Sequence, residues 1–116
     1  MSNDRDTTVD QLRSEIATFI RERDWEQFHD PKNLSMAIAT EAAELMEIFR
    51  WAKNDASRDM IHEPATRHAI GEELADILAF VLSFANATDI DISSTLRAKM
   101  AKNALKYPVD EYRGKY

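Results

Sequence analysis

Apolar residues recur at helical spacing in four stretches of the chain, and the breaks between them are short. Val9, Leu12, Ile16, Phe19 and Ile20 follow Thr7 or Thr8, with Asp10 or Gln11 three residues on as in a capping box, which predicts a first helix over 8–23. Asp30-Pro31 is a break followed by a natural helix start, so 24–31 reads as a connection rich in aromatic side chains and 32–53 as a second helix. The polar run NDASRDMIHEP reads as a linker ending at Pro64, where a third helix over 64–87 begins. Asp89 or Asp91 then caps a fourth helix that continues to Lys106, and Pro108 ends regular structure. Four helices with short connections predict an all-α, four-helix antiparallel bundle, and apolar stripes wider than a coiled-coil seam predict its completion by oligomerisation.

Acidic residues interrupt two of these stripes. Counted at about 100° per residue from Ile38, the residues Leu34, Leu45, Ile48, Phe49 and Ala52 span about 280° through 0° to 20°, and Glu41 falls among them at about 300°. Glu44 follows at about 240°, on the edge of the arc, while Glu47 at about 180° has turned to the flank. The third helix repeats the arrangement: counted from Ile70, Glu73 lies at about 300° and Asp76 at about 240°, within or beside the arc of Leu74, Ile77, Phe80, Val81 and Phe84. Charge on a helix ordinarily faces solvent. Two helices with an inward acid at the same angle, and a second acid one turn on, point instead to carboxylates that face each other across the bundle. Unpaired inward carboxylates are costly and are retained by protonation, by a basic partner or by a cation. Few bases are available inside, and four carboxylates suit a hard divalent ion such as Mg²⁺, with Mn²⁺ as substitute. The shared ExxE and ExxD pattern is also what an internal duplication would leave, though it is too short to establish one.

The composition narrows the setting. The chain of 116 residues, 44% of them hydrophobic, is long enough for a single domain over 1–116, with 1–6 and 109–116 expected as flexible tails. Two glycines and three prolines favour long helices over a turn-rich β fold. The absence of cysteine excludes a disulfide framework and thiolate metal sites. Neither a signal-peptide pattern nor an apolar run near 18 residues occurs, so the expectation is a cytoplasmic protein with no membrane partner. A net charge of −6 disfavours a broad grip on nucleic acid, and a polyanionic ligand would need a cation to enter.

Two further groups complete the candidate chemistry. On the fourth helix Lys99 and Asn103 fall in the apolar arc near Leu96 and Met100; a snorkelling lysine and a capping asparagine are one account, a cation and an amide for a phosphate the other. Trp25, Phe28, His29 and Trp51 supply aromatic faces that either fill a core or stack on a nucleobase.

With these residues assembled, the chain resembles the MazG-like all-α nucleoside triphosphate pyrophosphohydrolases, and among them the small dCTP-pyrophosphatase type. The stretches RERDWEQFHDPKNL, EAAELMEIFRW, EELADIL and KMAKNALKYP carry the likeness, which covers about residues 9 to 108. The resemblance implies that Glu41, Glu44, Glu73 and Asp76 hold Mg²⁺ and serve catalysis. It further implies that Lys99 and Asn103 contact substrate and that Trp25 and Trp51 border the base pocket; His29, which could hydrogen-bond, is a candidate substrate-binding residue from its place in the aromatic connection. The activity implied is Mg²⁺-dependent hydrolysis of a nucleoside triphosphate, dCTP or a modified nucleotide among the possibilities, to the monophosphate and pyrophosphate. Such an enzyme cleanses nucleotide pools and works as a homodimer or homotetramer. Thr40 stands before Glu41 where the broader superfamily often has a second glutamate, and Ile16 and Phe80 are apolar where the dCTP type is polar or carries tyrosine, so the base is left open. Two rivals remain in view. A di-iron carboxylate bundle needs ExxH motifs on paired helices, and only Glu26 to His29 offers one. A non-catalytic helical module for nucleotides or a protein partner would not need all four acids.

Overall fold

Thr8 starts the first helix, α1 (Val9–Glu22), by a reciprocal cap: its hydroxyl accepts from the Gln11 N–H at 3.1 Å, and its own N–H donates to the Gln11 side chain at 2.7 Å. The computed structural model describes residues 2–115, and every regular element among them is helical. After α1, Asp24 adopts a left-handed φ of 54°, a conformation that aspartate tolerates because its short polar side chain can bond locally. The chain then makes one 3-10 turn, Glu26–Phe28, and enters α2 (Pro31–Phe49). Here Asp30 caps by accepting from the Asn33 N–H at 2.8 Å, with Pro31 in the first turn where no amide proton is needed. Next come α3 (Asn54–Met60), α4 (Pro64–Thr88), α5 (Ile92–Lys106) and α6 (Val109–Tyr112). Glu63 caps α4 by accepting from the Thr66 hydroxyl and from the N–H groups of Thr66 and Ala65, and these bonds hold its carboxyl below the ordinary range.

The four long helices lie close to the expected bounds, and the differences have local causes. The second helix stops at Phe49 rather than running to residue 53, and the expected linker contains α3 instead. That helix carries no apolar stripe to announce it. Its ends do suit a helix, with Asp55 in the first turn and Arg58 in the last, each opposite in sign to the helix dipole it meets. Regular structure also resumes after Pro108 as α6, which folds back far enough for Tyr112 to meet Tyr107 edge-on at 5.1 Å between ring centroids. Near the start of the chain the Asn3 side chain accepts from the N–H groups of Arg5 and Asp6 in a turn. The expected tails also include Met1 and Tyr116, which lie outside the described residues.

The core is small and sits where α4 meets α2 and, less extensively, α1. Leu34 of α2 and Leu82, Ser83 and Ala85 of α4 are the buried residues, Leu34 being only 1% exposed. The fourth long helix does not close over them within the chain. α5 leaves α4 at a bend of 104°, forms no extensive interface with α1, α2 or α4, and is exposed at every position from 93 to 102. Among the described residues, no single helix is long and apolar enough to cross a membrane.

The consequence is an open molecule. Its accessible surface is 9635 Å², whereas a folded monomer of 13.3 kDa is expected to expose about 6,500 Å². The radius of gyration is 17.2 Å against about 13 Å for a closed domain of this length. Large apolar side chains are among the exposed residues, including Met36, Met46, Leu74, Leu78, Leu96, Met100 and Leu105, the last 83% exposed.

With so few fully buried side chains, each carries a large share of the stability. Leu34→Ala is expected to lower the unfolding free energy by about 2–5 kcal/mol, measured as a shift of the urea midpoint at unchanged slope. A loss below about 1 kcal/mol would show that the contact between α2 and α4 is not the centre of the fold.

Candidate metal and nucleotide site

The acids of α2 and α4 converge. One carboxylate oxygen each from Glu41, Glu73 and Asp76 lies within 4.8 Å of the others, which is the spacing of ligands around a single ion. Glu41 and Glu73 are half-buried, whereas Asp76 and Glu44 are exposed. Glu44 is not one of the three converging ligands, yet its side chain stands in contact with the carboxyl groups of both Glu41 and Glu73. The helix repeat explains the set: residues three or four apart share a face, so ExxE on α2 and ExxD on α4 each present two acids toward one seam.

Crowding and burial act on the protons of this group. Loss of water, followed by contact with Glu44 and the charges of Glu44, Asp76 and Glu73, pushes the Glu41 carboxyl from its ordinary 4.5 up to about 7. Glu73 moves in the same direction, through burial first and the charge of Glu44 next. Oε2 of Glu41 and Oε2 of Glu73 are both buried without a hydrogen-bond partner. Buried, unpaired carboxylate oxygens on residues that converge fit a hard divalent cation, since oxygen donors at this spacing are what such an ion takes.

The remaining candidates divide into two groups. His29 lines a pocket of about 400 Å³ between α1, the 3-10 turn and α4, together with Ile20, Arg21, Glu26, Ser83 and Asn86. Trp25 opens that same 3-10 turn and packs edge-on against Phe19 at 5.8 Å between centroids. Among the described residues, no hydrogen bond or ion pair joins Trp51, Lys99 or Asn103 to the acids. Trp51 lies just past the end of α2 and is 84% exposed, with the Arg50 guanidinium 4.4 Å from its ring centroid and Glu47 bound to Arg50 at 2.9 Å. Lys99 is exposed on the projecting α5, and Asn103, half-buried, reaches the Met100 sulfur at 3.8 Å.

Ser83 and Asn86 line the pocket and were not singled out in the sequence. The available signal was weak: two polar residues inside the apolar run FVLSFANAT of α4. Arg13 was missed as well, because its partner Asn86 lies 73 residues away in the chain.

Known proteins resemble this chain over most of its length. It is 38% identical to dCTP pyrophosphatase 1 of Bos taurus over 107 residues, which is 92% of this chain and 63% of that protein. The same enzyme of Homo sapiens is 37% identical over 101 residues, 87% of this chain and 59% of the relative. The chain therefore spans roughly three-fifths of the length of these curated relatives. In three dimensions it superposes on the crystal structure of a pyrophosphatase from Archaeoglobus fulgidus with a TM-score of 0.82 at 30% identity, covering 93% of this chain and 99% of the other. The MazG-like family matches residues 36–115, the segment that holds all four acids together with Lys99 and Asn103. By sequence and by fold alike, the chain belongs to the MazG-like family.

Proposed function

We propose that this protein is a divalent-metal-dependent pyrophosphohydrolase that converts a nucleoside triphosphate to the monophosphate and pyrophosphate, with Mg²⁺ as the working ion, Mn²⁺ as its substitute and cleansing of the nucleotide pool as its role. The observation that carries the reading is the convergence of Glu41, Glu73 and Asp76, with two buried oxygens that have no partner. The names of the relatives support the reaction class and make dCTP and its modified forms the first substrates to try.

Each residue has a distinct part in this reading. Glu41, Glu73 and Asp76 would hold the ion. When bound, it supplies the positive charge that a triphosphate needs beside a protein of net charge −6 and the Lewis acidity that activates water. Glu44, exposed yet in contact with both half-buried acids, would accept a proton from the attacking water. Glu47 is a poorer candidate, since Arg50 already binds it. Lys99 and Asn103 would contact the phosphates, and Trp25, His29 and Trp51 would border the base.

The open shape of the chain favours a homo-oligomer, a dimer or a tetramer. The surface of 9635 Å² exceeds the monomer expectation by about 3,100 Å², far more than the roughly 800 Å² that one partner contributes to a standard interface. A second copy seated against the exposed faces of α2, α4 and α5 would cover that surface and enclose the nucleotide.

A panel of ribo- and deoxynucleoside triphosphates assayed for pyrophosphate release with Mg²⁺ tests the activity directly. In ¹⁸O-labelled water under single turnover, the label is expected in the monophosphate and not in the pyrophosphate, because water attacks the α-phosphorus. Glu41→Gln is expected to lower turnover by at least 100-fold at unchanged helix content. Label in pyrophosphate, or release of orthophosphate alone, would overturn the reaction assigned. Light scattering is expected to give at least twice 13.3 kDa at micromolar concentration, and a fully active species of 13.3 kDa would refute the assembly.

The raised Glu41 carboxyl also makes stability depend on pH. In EDTA the folded protein keeps a proton that the unfolded chain releases near pH 4.5, so the folded state binds more protons between there and about pH 7. This contribution is fully present below 4.5 and is lost as pH rises through about 7. Thermal melts in EDTA are expected to fall across that window, Glu41→Gln should flatten the fall, and excess Mg²⁺ should reverse it at the alkaline end. A melting temperature that rises with pH in EDTA would contradict the shift.

A further inference from the structure

Among the described residues, side-chain hydrogen bonds and ion pairs join positions close in sequence, with one exception. Arg13 of α1 and Asn86 of α4 hold each other in a half-buried pair: Arg13 Nε donates to Asn86 Oδ1 at 3.0 Å, and Asn86 Nδ2 donates back to the Arg13 carbonyl at 3.0 Å. The far end of the same guanidinium, Nη1, donates to the carbonyl of Ile90 at 2.7 Å.

Ile90 is the middle residue of the joint between α4 and α5. On one side of it Asp89 takes a left-handed φ of 55° and sends its N–H back to the Ala85 carbonyl, which the Ile90 N–H also meets at 3.2 Å. On the other side Asp91 caps α5, accepting from the N–H and hydroxyl of Ser94 at 3.0 and 2.6 Å. The direction of α5 is therefore decided across three residues, and the Arg13 fork grips the central one. Within the chain little else opposes a swing, because the body of α5 forms no extensive interface with α1, α2 or α4. Helix length amplifies any looseness. Asn103 lies about 16 Å along the axis from Ile92, so a rotation of about 15° at the joint displaces it by about 4 Å. Such a displacement is larger than a hydrogen bond is long.

We propose that Arg13 is a positioning residue: by bridging Asn86 and the Ile90 carbonyl it sets the angle at which α5 presents Lys99 and Asn103 to the triphosphate. This rests on the reading of Lys99 and Asn103 as substrate contacts. The planar guanidinium reaches both acceptors at once, whereas a lysine would offer a single point charge.

Steady-state kinetics of the full chain, using the nucleotide turned over fastest in the panel and saturating Mg²⁺, test the proposal. Arg13→Ala is expected to raise KM at least fivefold with kcat within twofold of wild type. Arg13→Lys, which keeps charge and stem and provides a variant that folds if the alanine form does not, is expected to restore less than half of the loss. Mn²⁺ affinity measured by electron paramagnetic resonance should stay within twofold, because the acids lie on α2 and α4. In a Lys99→Ala/Asn103→Ala background, adding Arg13→Ala should change KM by less than twofold, since the contacts it positions are already removed. Three results would overturn the proposal: a wild-type KM in Arg13→Ala, an effect of Arg13→Ala that multiplies that of the Lys99→Ala/Asn103→Ala pair, or Mn²⁺ affinity falling in step with KM as general loosening would cause. A Lys99→Ala enzyme with wild-type KM would refute the assignment of Lys99 to substrate, and the positioning role with it, while product analysis would still decide the reaction separately.

Discussion

Carboxylates of like charge brought together between α2 and α4 are the constraint on which the rest of the structure depends. Glu41 and Glu73 give up part of their hydration, and each keeps an oxygen with no donor. The contact between α2 and α4 is the most extensive in the chain, so this cost falls where the fold is held together. A protein that places its least favourable electrostatics inside its main helix pairing depends on a proton or a cation to relieve them. The metal reading follows from that cost more directly than from the ExxE pattern, which alone is common on solvated helices.

The same pairing accounts for what the chain leaves open. α2 and α4 bury Leu34, Leu82 and Ala85 against each other and α1, but they keep Met36, Met46, Leu74 and Leu78 exposed, and α5 stands away with Leu96, Met100 and Leu105 uncovered. These side chains belong to the helices that carry the acids and the substrate candidates. The Arg13–Asn86 pair does more than join α1 to α4, since it holds the joint of a helix that forms no extensive interface within the chain.

Much of this was legible in the residues. The stripes announced the four long helices because apolar residues recur every three or four positions when one face is buried, and Thr7 or Thr8 and Asp89 or Asp91 announced two of their starts because short oxygen side chains satisfy orphan amide protons, the structure using Thr8 and Asp91. The inward angle of Glu41 and Glu73 followed from counting alone. By contrast α3 went unannounced, since seven residues without a buried stripe leave no periodic signal. The role of Asn86 was hidden as well, for an amide inside an apolar run gains meaning only from a partner distant in the chain.

The sequence by itself therefore determined the helical class, the approximate starts of the long helices and the face on which each acid lies, because these depend on interactions within a few residues. Tertiary structure decided which acids share one point, that Glu44 stands beside Glu41 and Glu73 rather than among the three closest ligands, and that α5 turns away from the bundle by 104°. Those outcomes depend on how helices cross and on how one joint is pinned. Periodicity specifies the face a helix buries, but the angle between two helices is set by the side chains that meet there, and at this joint by one guanidinium that spans α1 and α4.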